Sequence, residues 1–348
     1  MFCYYFPMLV LGIESTCDET ACSVVRNGKE ILSNVVASQV KLHEPFGGVF
    51  PEVAARRHAD IIVDMVHKAL EEARVSLKDI NLIAVARGPG LIGAILMGFN
   101  AAKALALATN LPFIGVNHVE AHLYASLMSQ ENTPAFPCLG VVLSGAHTHL
   151  VQMNAIGDYE LLGQTIDDAL GEAFDKVARI LGLPYPGGPV IEKLAREGNH
   201  LRHSFKCGQV KQRPLDFSFS GIKTGVLYTV KGQNGVEAVR APLSENERND
   251  IAASFQHTVF TDVIRKTIKA AKERNCKSII FGGGVTNNQC LRQMFAKEAP
   301  DLDLKWPSFG LSLDNAAMIA GLGYHQFLKQ EKGDSYQMEA MPRVPLGK

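Results

Sequence analysis

Two histidines one helical turn apart, in Gly-Val-Asn-His118-Val-Glu-Ala-His122-Leu, are the residues of this sequence best suited to chemistry. Side chains at i and i+4 share one face of a helix, so both imidazoles can turn toward a single divalent metal ion. Two imidazoles leave such an ion short of ligands. Asp314, in Leu-Ser-Leu-Asp314-Asn-Ala-Ala-Met at the start of another helical pattern, offers the carboxylate that completes the face and leaves a position open for substrate. A helical histidine pair also packs or caps without metal. Nor is this the zinc-peptidase motif: Val119 stands where the general-base glutamate would follow the first histidine, and Glu120 comes one residue later.

Tight glycine turns after strands are the second group of interest, because a backbone without side chains can bring its N–H groups up to an anion. The sequence has such turns at Glu14-Ser-Thr-Cys-Asp18-Glu19-Thr20, Ser144-Gly145-Ala146-His147-Thr148, Gly187-Gly188 and Gly282-Gly283-Gly284. Each alone is commonplace; together they describe a nucleotide held in a cleft between two lobes. Asp168, Glu172 and Asp175 fall at helical spacing and suit either hydroxyl recognition or a solvated face. Basic residues gather at Arg56-Arg57-His58 and across Arg202, Lys206, Lys211, Arg213, Lys223 and Lys231, a footprint for a phosphate backbone or an ordinary surface loop.

The elements that must position these groups alternate between strand and helix, the pattern of an α/β fold. Two similar openings, from Val10 and from Cys138, each give an apolar strand, a polar or small-residue turn and a returning strand, which suggests a duplication. Helical periodicity covers about 57–74, 91–108, 166–181, 245–274, 288–298 and 314–327, with buried strands at 82–86 and 278–281. With 348 residues the chain fits two domains. The division expected is a first lobe over 9–132 with the histidine pair and a second over 133–330 with an irregular insertion at about 183–231. A tail over 331–348 would then return to the first lobe or hang free. Lys plus Arg and Asp plus Glu balance at 35 each, so a polyanion must be held by local patches, not net charge. Seven cysteines with no Cys-x-x-Cys pair fit a reducing cytoplasm, and the apolar first ten residues lack a basic n-region and are too short to span a bilayer, so no membrane association is expected.

In order along the chain, Gly12-Ile-Glu-Ser-Thr-Cys-Asp-Glu-Thr20, Ser38-Gln39, Arg87-Gly-Pro-Gly-Leu91, His118-Val-Glu-Ala-His122, Ser144-Gly-Ala-His-Thr148, Gly171-Glu-Ala-Phe-Asp-Lys176, Tyr185-Pro-Gly-Gly-Pro189, Asp216-Phe-Ser-Phe-Ser-Gly221, Gly282-Gly-Gly-Val285 and Asp314-Asn-Ala-Ala-Met318 closely resemble the TsaD (Gcp) family, in its bacterial form, over about Leu9 to Leu328. The resemblance implies the duplicated, two-lobed fold of the actin, Hsp70 and sugar-kinase superfamily. It also implies transfer of threonylcarbamoyl from threonylcarbamoyl-adenylate to N6 of the adenosine 3′ of the anticodon in tRNAs reading codons that begin with A, with AMP leaving. The partners implied are TsaB, which pairs with the first lobe, and the ATPase TsaE.

Carried over by motif, His118, His122 and Asp314 should hold one metal per subunit, usually iron and sometimes zinc. Val142, Leu143, Ser144, Gly145 and Ala146 should meet the phosphate side of the adenylate, Asp175 its ribose, and Gly188 and Asn288 its nucleoside. Glu14 and Asp18 face the same cleft in the family, where a base would help the incoming amine lose its proton. Ala146 stands where the family commonly has glycine, Ser15-Thr16 reverses the usual order, and Thr286-Asn287 replaces Ser-Ala; activity is expected to survive all three. Val142 occupies the place of a tyrosine ligand of the archaeal and eukaryotic relatives. Two other readings fit the same residues: a metal-dependent peptidase acting on glycoproteins, and a kinase-like ATPase or nucleotide-binding scaffold.

Overall fold

The computed structural model describes residues 7–232 and 243–347. Residues 1–6 of the apolar opening lie outside them. In chain order the elements begin with strands β1 (Leu9–Glu14), β2 (Glu19–Arg26) and β3 (Glu30–Ser38), the short α1 (Val40–His43) and α2 (Pro51–Ala73). Then come β4 (Leu82–Gly88), α3 (Ile92–Thr109), β5 (Phe113–Asn117), α4 (His118–Met128), β6 (Cys138–Leu143), β7 (Thr148–Ala155), β8 (Asp158–Gln164) and α5 (Leu170–Ile180). The remainder are α6 (Gly187–Ala195), α7 (Ser220–Lys231), α8 (Glu245–Glu273), β9 (Ser278–Gly282), α9 (Gln289–Glu298), β10 (Asp303–Lys305) and α10 (Ala316–Gln330).

The chain divides into two compact units, one of Met1–Thr133, Ala155–Tyr159 and Trp306–Lys348, the other of Pro134–Asn154 and Glu160–Lys305. Each is built on a five-stranded sheet, ordered β3-β2-β1-β4-β5 in the first and β10-β9-β6-β7-β8 in the second. Read from their opening strands, the two orders are the same. In both, the first strand pairs antiparallel with the second and parallel with the fourth. The duplication expected from the two similar openings is therefore present in the topology.

In the first unit the period-2 alternation of β1 decides which helix packs where. Leu11 and Ile13 enter one core with Ile62, Met65 and Val66 of α2 and Ile95 and Phe99 of α3. Gly12 points to the other face, where α10 lies so close that a Cβ on Gly12 would sit 2.3 Å from the Ala316 carbonyl oxygen. The first eight residues of α10, Ala316–Gly323, are all buried, because the helix is packed against β1, β2 and β4 and against α4. This corrects the expected boundary: residues 306–330 join the first unit, not the second, since a helix apolar all round needs cover on both sides and the first sheet and α4 supply it. The C-terminal residues also return to this unit, with Met341 N–H donating to the Arg87 carbonyl at 2.9 Å and Asp334 accepting from Gly115 N–H at 2.9 Å. Helix α3 is the one described helix long and apolar enough to cross a membrane; in this fold it lies against α2, β4 and β1.

In the second unit the expected helix over 166–181 starts later, at Leu170, because residues before it do other work. Asp167 accepts from the Phe219 and Ser220 N–H groups at 2.8 and 3.2 Å and from the Ser218 and Ser220 hydroxyls, so it closes the start of α7. The stretch 183–231 carries α6 and α7 at its ends and irregular chain between them. The six described cysteines are all free.

Candidate functional site

In the first unit the metal-ligand candidates come from the starts of two adjacent helices, each fixed by a neighbouring asparagine. Asn117 caps α4 by accepting from the Val119 and Glu120 N–H groups at 2.9 and 3.3 Å, which places His118 at the first helical position. Asn315 caps α10 by accepting from Met318 N–H at 3.1 Å, while its amide donates to the Leu311 and Leu313 carbonyls at 3.1 and 2.8 Å and so holds the loop that ends in Asp314. The result is the convergence expected from sequence. His122 Nε2 lies 3.2 Å and His118 Nε2 3.6 Å from the same Asp314 oxygen, and one ligand atom from each residue falls within 4.8 Å of the others. An ion bonded at about 2.0–2.2 Å to each would hold its ligands roughly 3–3.5 Å apart, so the set fits with small adjustment.

The polar accounting supports that fit. His122 is fully buried, and neither of its ring nitrogens has a hydrogen-bond partner; Asp314 is near Nε2 but not in hydrogen-bond geometry. An orphaned buried imidazole is costly, and a cation bound at Nε2 would satisfy that nitrogen. The side of the site toward Asp314 is the open one, with that side chain 20% exposed against 5% for His118. Burial works against a charge on His118, but Glu14 and Asp314 outweigh it and raise its pKa to about 9. Glu120 lies about 200° around the helix from His118, at 100° per residue, and so cannot serve as the missing peptidase base.

The loop after β1 departs from expectation at Glu14. The residue is completely buried, with one carboxylate oxygen 2.9 Å from His118 Nδ1 and the other accepting from Thr16 N–H at 2.5 Å. It is a partner of His118 and not an open base, because no face of the carboxylate is left to meet a substrate. Asp18 is 8% exposed and lies beside Glu19, which sequence reasoning missed. Burial, then Asp314 and Asp18, push the Glu19 carboxyl well above its ordinary range. His58, expected to be part of a basic surface with Arg56 and Arg57, is buried; it bonds the Thr20 hydroxyl at 2.8 Å and the Cys17 carbonyl at 3.1 Å and braces this loop. Burial accordingly lowers its pKa.

In the second unit two glycine turns and the start of α5 meet at the end of β6. Gly171 N–H donates to the Ser144 carbonyl at 3.1 Å, bringing the start of α5 to the turn. Gly283, at φ +91°, approaches so closely that a Cβ there would lie 2.4 Å from the Leu143 carbonyl oxygen. Val142 and Leu143 are wholly buried, so their side chains belong to the core and only the turn itself is open, at the exposed Gly145 and Ala146. Ala146 is not among the residues at positive φ, which is why alanine is tolerated in place of glycine. Asp175 accepts from Gly187 N–H at 2.7 Å, next to the half-buried Gly188. Asn288 caps α9 through its oxygen and donates to Gln256 at 2.9 Å, so its amide is engaged at both ends.

The acidic helical face expected at Asp168, Glu172 and Asp175 is not a face. Asp168 precedes the helix and binds Lys176 and Lys223 at 2.6 and 2.8 Å; despite burial, these two lysines hold its pKa below the usual value. Of the basic stretch, Arg202, Lys206 and Lys211 are exposed, whereas Arg213 pairs with Asp216 and Lys223 with Asp168. Lys206 shares with Arg265, Gln209 and Thr261 the lining of a hollow of about 370 Å³.

The family described as TsaD, tRNA N6-adenosine threonylcarbamoyltransferase, matches the chain over residues 30–321. A tRNA N6-adenosine threonylcarbamoyltransferase of Protochlamydia amoebophila is 60% identical over 339 residues, covering 97% of this chain and 98% of that one. One from Listeria welshimeri is 48% identical over 342 residues, covering 97% and 96%. Among solved structures, T. kodakarensis HypF aligns with a TM-score of 0.63 at 16% identity, over 94% of this chain and 48% of that one. Component A of (R)-2-hydroxyglutaryl-CoA dehydratase from Acidaminococcus fermentans aligns with a TM-score of 0.52 at 15% identity, over 92% and 98%. The solved structures bear on fold alone, and they agree with the duplicated actin-like α/β class.

Proposed function

The chain belongs to the TsaD family of tRNA N6-adenosine threonylcarbamoyltransferases, and from that premise we propose that it moves threonylcarbamoyl from threonylcarbamoyl-adenylate to N6 of the adenosine 3′ of the anticodon. The tRNAs concerned read codons beginning with A. In the step itself a C–N bond forms between N6 and the carbamoyl carbon while the C–O bond to AMP breaks. The phosphate oxygen keeps the electron pair, and the N6 proton passes to a base. The donor is already an activated mixed anhydride, so positioning and charge stabilisation suffice and no covalent enzyme nucleophile is needed.

The observation that carries this reading is the convergence of His118, His122 and Asp314 in a chain that follows the family along nearly its whole length. His118, His122 and Asp314 would hold a divalent ion, iron or alternatively zinc, which would supply Lewis-acid stabilisation of charge on the donor's oxygens. Asp18, whose charge like that of Asp314 acts on Glu19, is the carboxylate we assign to the amine proton. In the second unit the exposed Gly145 and Ala146 of the turn after β6 offer their N–H groups to the donor's phosphate. Asp175 faces the ribose, and Gly188 and Asn288 the nucleoside. Exposed Arg202, Lys206 and Lys211 meet tRNA phosphates. The exposed apolar side chains Val63 of α2 and Ile92, Leu96 and Leu107 of α3 suit a docked TsaB, and TsaE acts with the pair. The place of action is the cytoplasm.

The test is reconstitution: purified chain, TsaB, TsaE, the adenylate and unmodified tRNA, followed by nucleoside digestion and mass analysis. N6-threonylcarbamoyladenosine is expected, dependent on all components. Absence of the product with every component active would reject the proposal.

A further inference from the structure

Glu14 sits at the end of β1 with no exposure, yet the reaction needs no buried carboxylate there. Its Oε2 lies 2.9 Å from His118 Nδ1, and its Oε1 accepts the Thr16 N–H at 2.5 Å, which fixes the carboxylate plane. A carboxylate at that distance accepts a hydrogen bond, so Nδ1 must carry the hydrogen. The Thr16 hydroxyl, 3.3 Å from the same nitrogen, lies on the same side of the ring. In the neutral ring, the form that binds a metal, Nε2 is then the nitrogen with the lone pair, and it is the one that faces Asp314. His122 has no hydrogen-bond partner on either nitrogen, and the one carboxylate near it is that of Asp314, 3.2 Å from Nε2. The two imidazoles are therefore held by different means.

We infer that Glu14 is a positioning residue for the metal site: it holds His118 as the Nδ1–H tautomer and aims Nε2 at the ion. A carboxylate behind a ligating histidine sets ring orientation and basicity, and its removal typically costs on the order of 10–100-fold in metal affinity. The inference rests on the metal reading of His118, His122 and Asp314. It replaces a base role for Glu14 with one exerted through His118.

The experiment uses the full chain and zinc alone, with affinity measured by competition against a chromophoric chelator for wild type, Glu14→Ala, Glu14→Gln and His118→Ala. Glu14→Ala should bind zinc about 10–100-fold more weakly. Glu14→Gln, whose single amide oxygen can accept the His118 N–H only with its NH2 turned toward the Thr16 N–H, should recover part of that loss. A second readout needs no substitution: in ¹⁵N-labelled, zinc-loaded wild type, His118 should show Nε2 coordinated and a slowly exchanging Nδ1–H. Wild-type zinc affinity in folded Glu14→Ala, or coordination through Nδ1, overturns the inference while leaving the metal site standing. Failure of wild type and His118→Ala alike to bind zinc removes the metal reading, and this inference with it.

Discussion

Gly12 touches no metal ligand, yet replacing it with alanine should dismantle the metal site. A Cβ on Gly12 would lie 2.3 Å from the Ala316 carbonyl oxygen, 2.9 Å from Ala320 Cβ and 3.0 Å from the Ala320 nitrogen. Two of those three atoms are backbone, so no rotamer change relieves the clash. Ordinary contact begins near 3.4 Å, and the start of α10 must therefore retreat from β1 by about 1 Å. Asp314 lies two residues before Ala316 and is tied to the helix start through the Asn315 cap, so it moves with it. Metal–ligand distances tolerate only about 0.2 Å, so a 1 Å retreat takes the carboxylate out of coordination. Zinc affinity should fall at least as far as for loss of a supporting group, about 10–100-fold. The overpacked core should cost a further 1–3 kcal/mol, roughly, in urea unfolding of the metal-free chain. Chelator competition gives the first number and denaturant titration the second. Gly12→Ala with wild-type zinc affinity and unchanged unfolding would refute the claim that this close approach positions Asp314.

Other consequences are quicker to check. Because His118 is raised to about 9 in the metal-free chain, it is protonated at pH 7, and zinc binding there should release about one proton from it; calorimetry in buffers of different ionisation enthalpy reads the number, and zero release contradicts it. Asp167→Ala should cost about 1–2 kcal/mol by uncapping α7. Hydrogen bonds from Ser218, Phe219 and Ser220 outweigh burial and hold the Asp167 pKa below its ordinary value, so its stabilisation is present above about pH 4 and fades as pH falls through the lowered value; the variant's deficit should shrink in acid, and a deficit constant with pH argues against the cap. Lys206→Glu should raise the tRNA concentration needed for half-maximal rate and flatten the salt dependence of binding by about one ion, leaving zinc affinity untouched; an unchanged slope removes Lys206 from the footprint.

Much of the site was legible in sequence because its signals are local. The spacing of His118 and His122, the Asn-capped helix starts and the glycine turns after strands are each written in a few adjacent residues, and the repeated strand-turn-strand opening announced the duplicated sheets. What escaped depends on contacts distant in sequence. That α10 belongs with β1 is decided by the missing side chain of Gly12 some 300 residues away, and a periodicity reading treats that helix as one more element of the second half. Glu14 looked like an open acid because nothing nearby in sequence shows that His118 covers it. Asp168 and His58 were misread for the same reason: Asp168 is paired with Lys223 and His58 is buried against the Thr20 hydroxyl, both on other elements. Asn288 reads equally well as a ligand contact or a helix cap until Leu291 and Gln256 are placed around it.

The most direct test is an anomalous-scattering map from crystals of the chain loaded with zinc or iron. One peak per chain is expected, within about 2.0–2.3 Å of His118 Nε2, His122 Nε2 and an Asp314 oxygen, with Glu14 still hydrogen-bonded to His118 Nδ1. A peak elsewhere, or a fully loaded chain with none between these three side chains, would contradict the account.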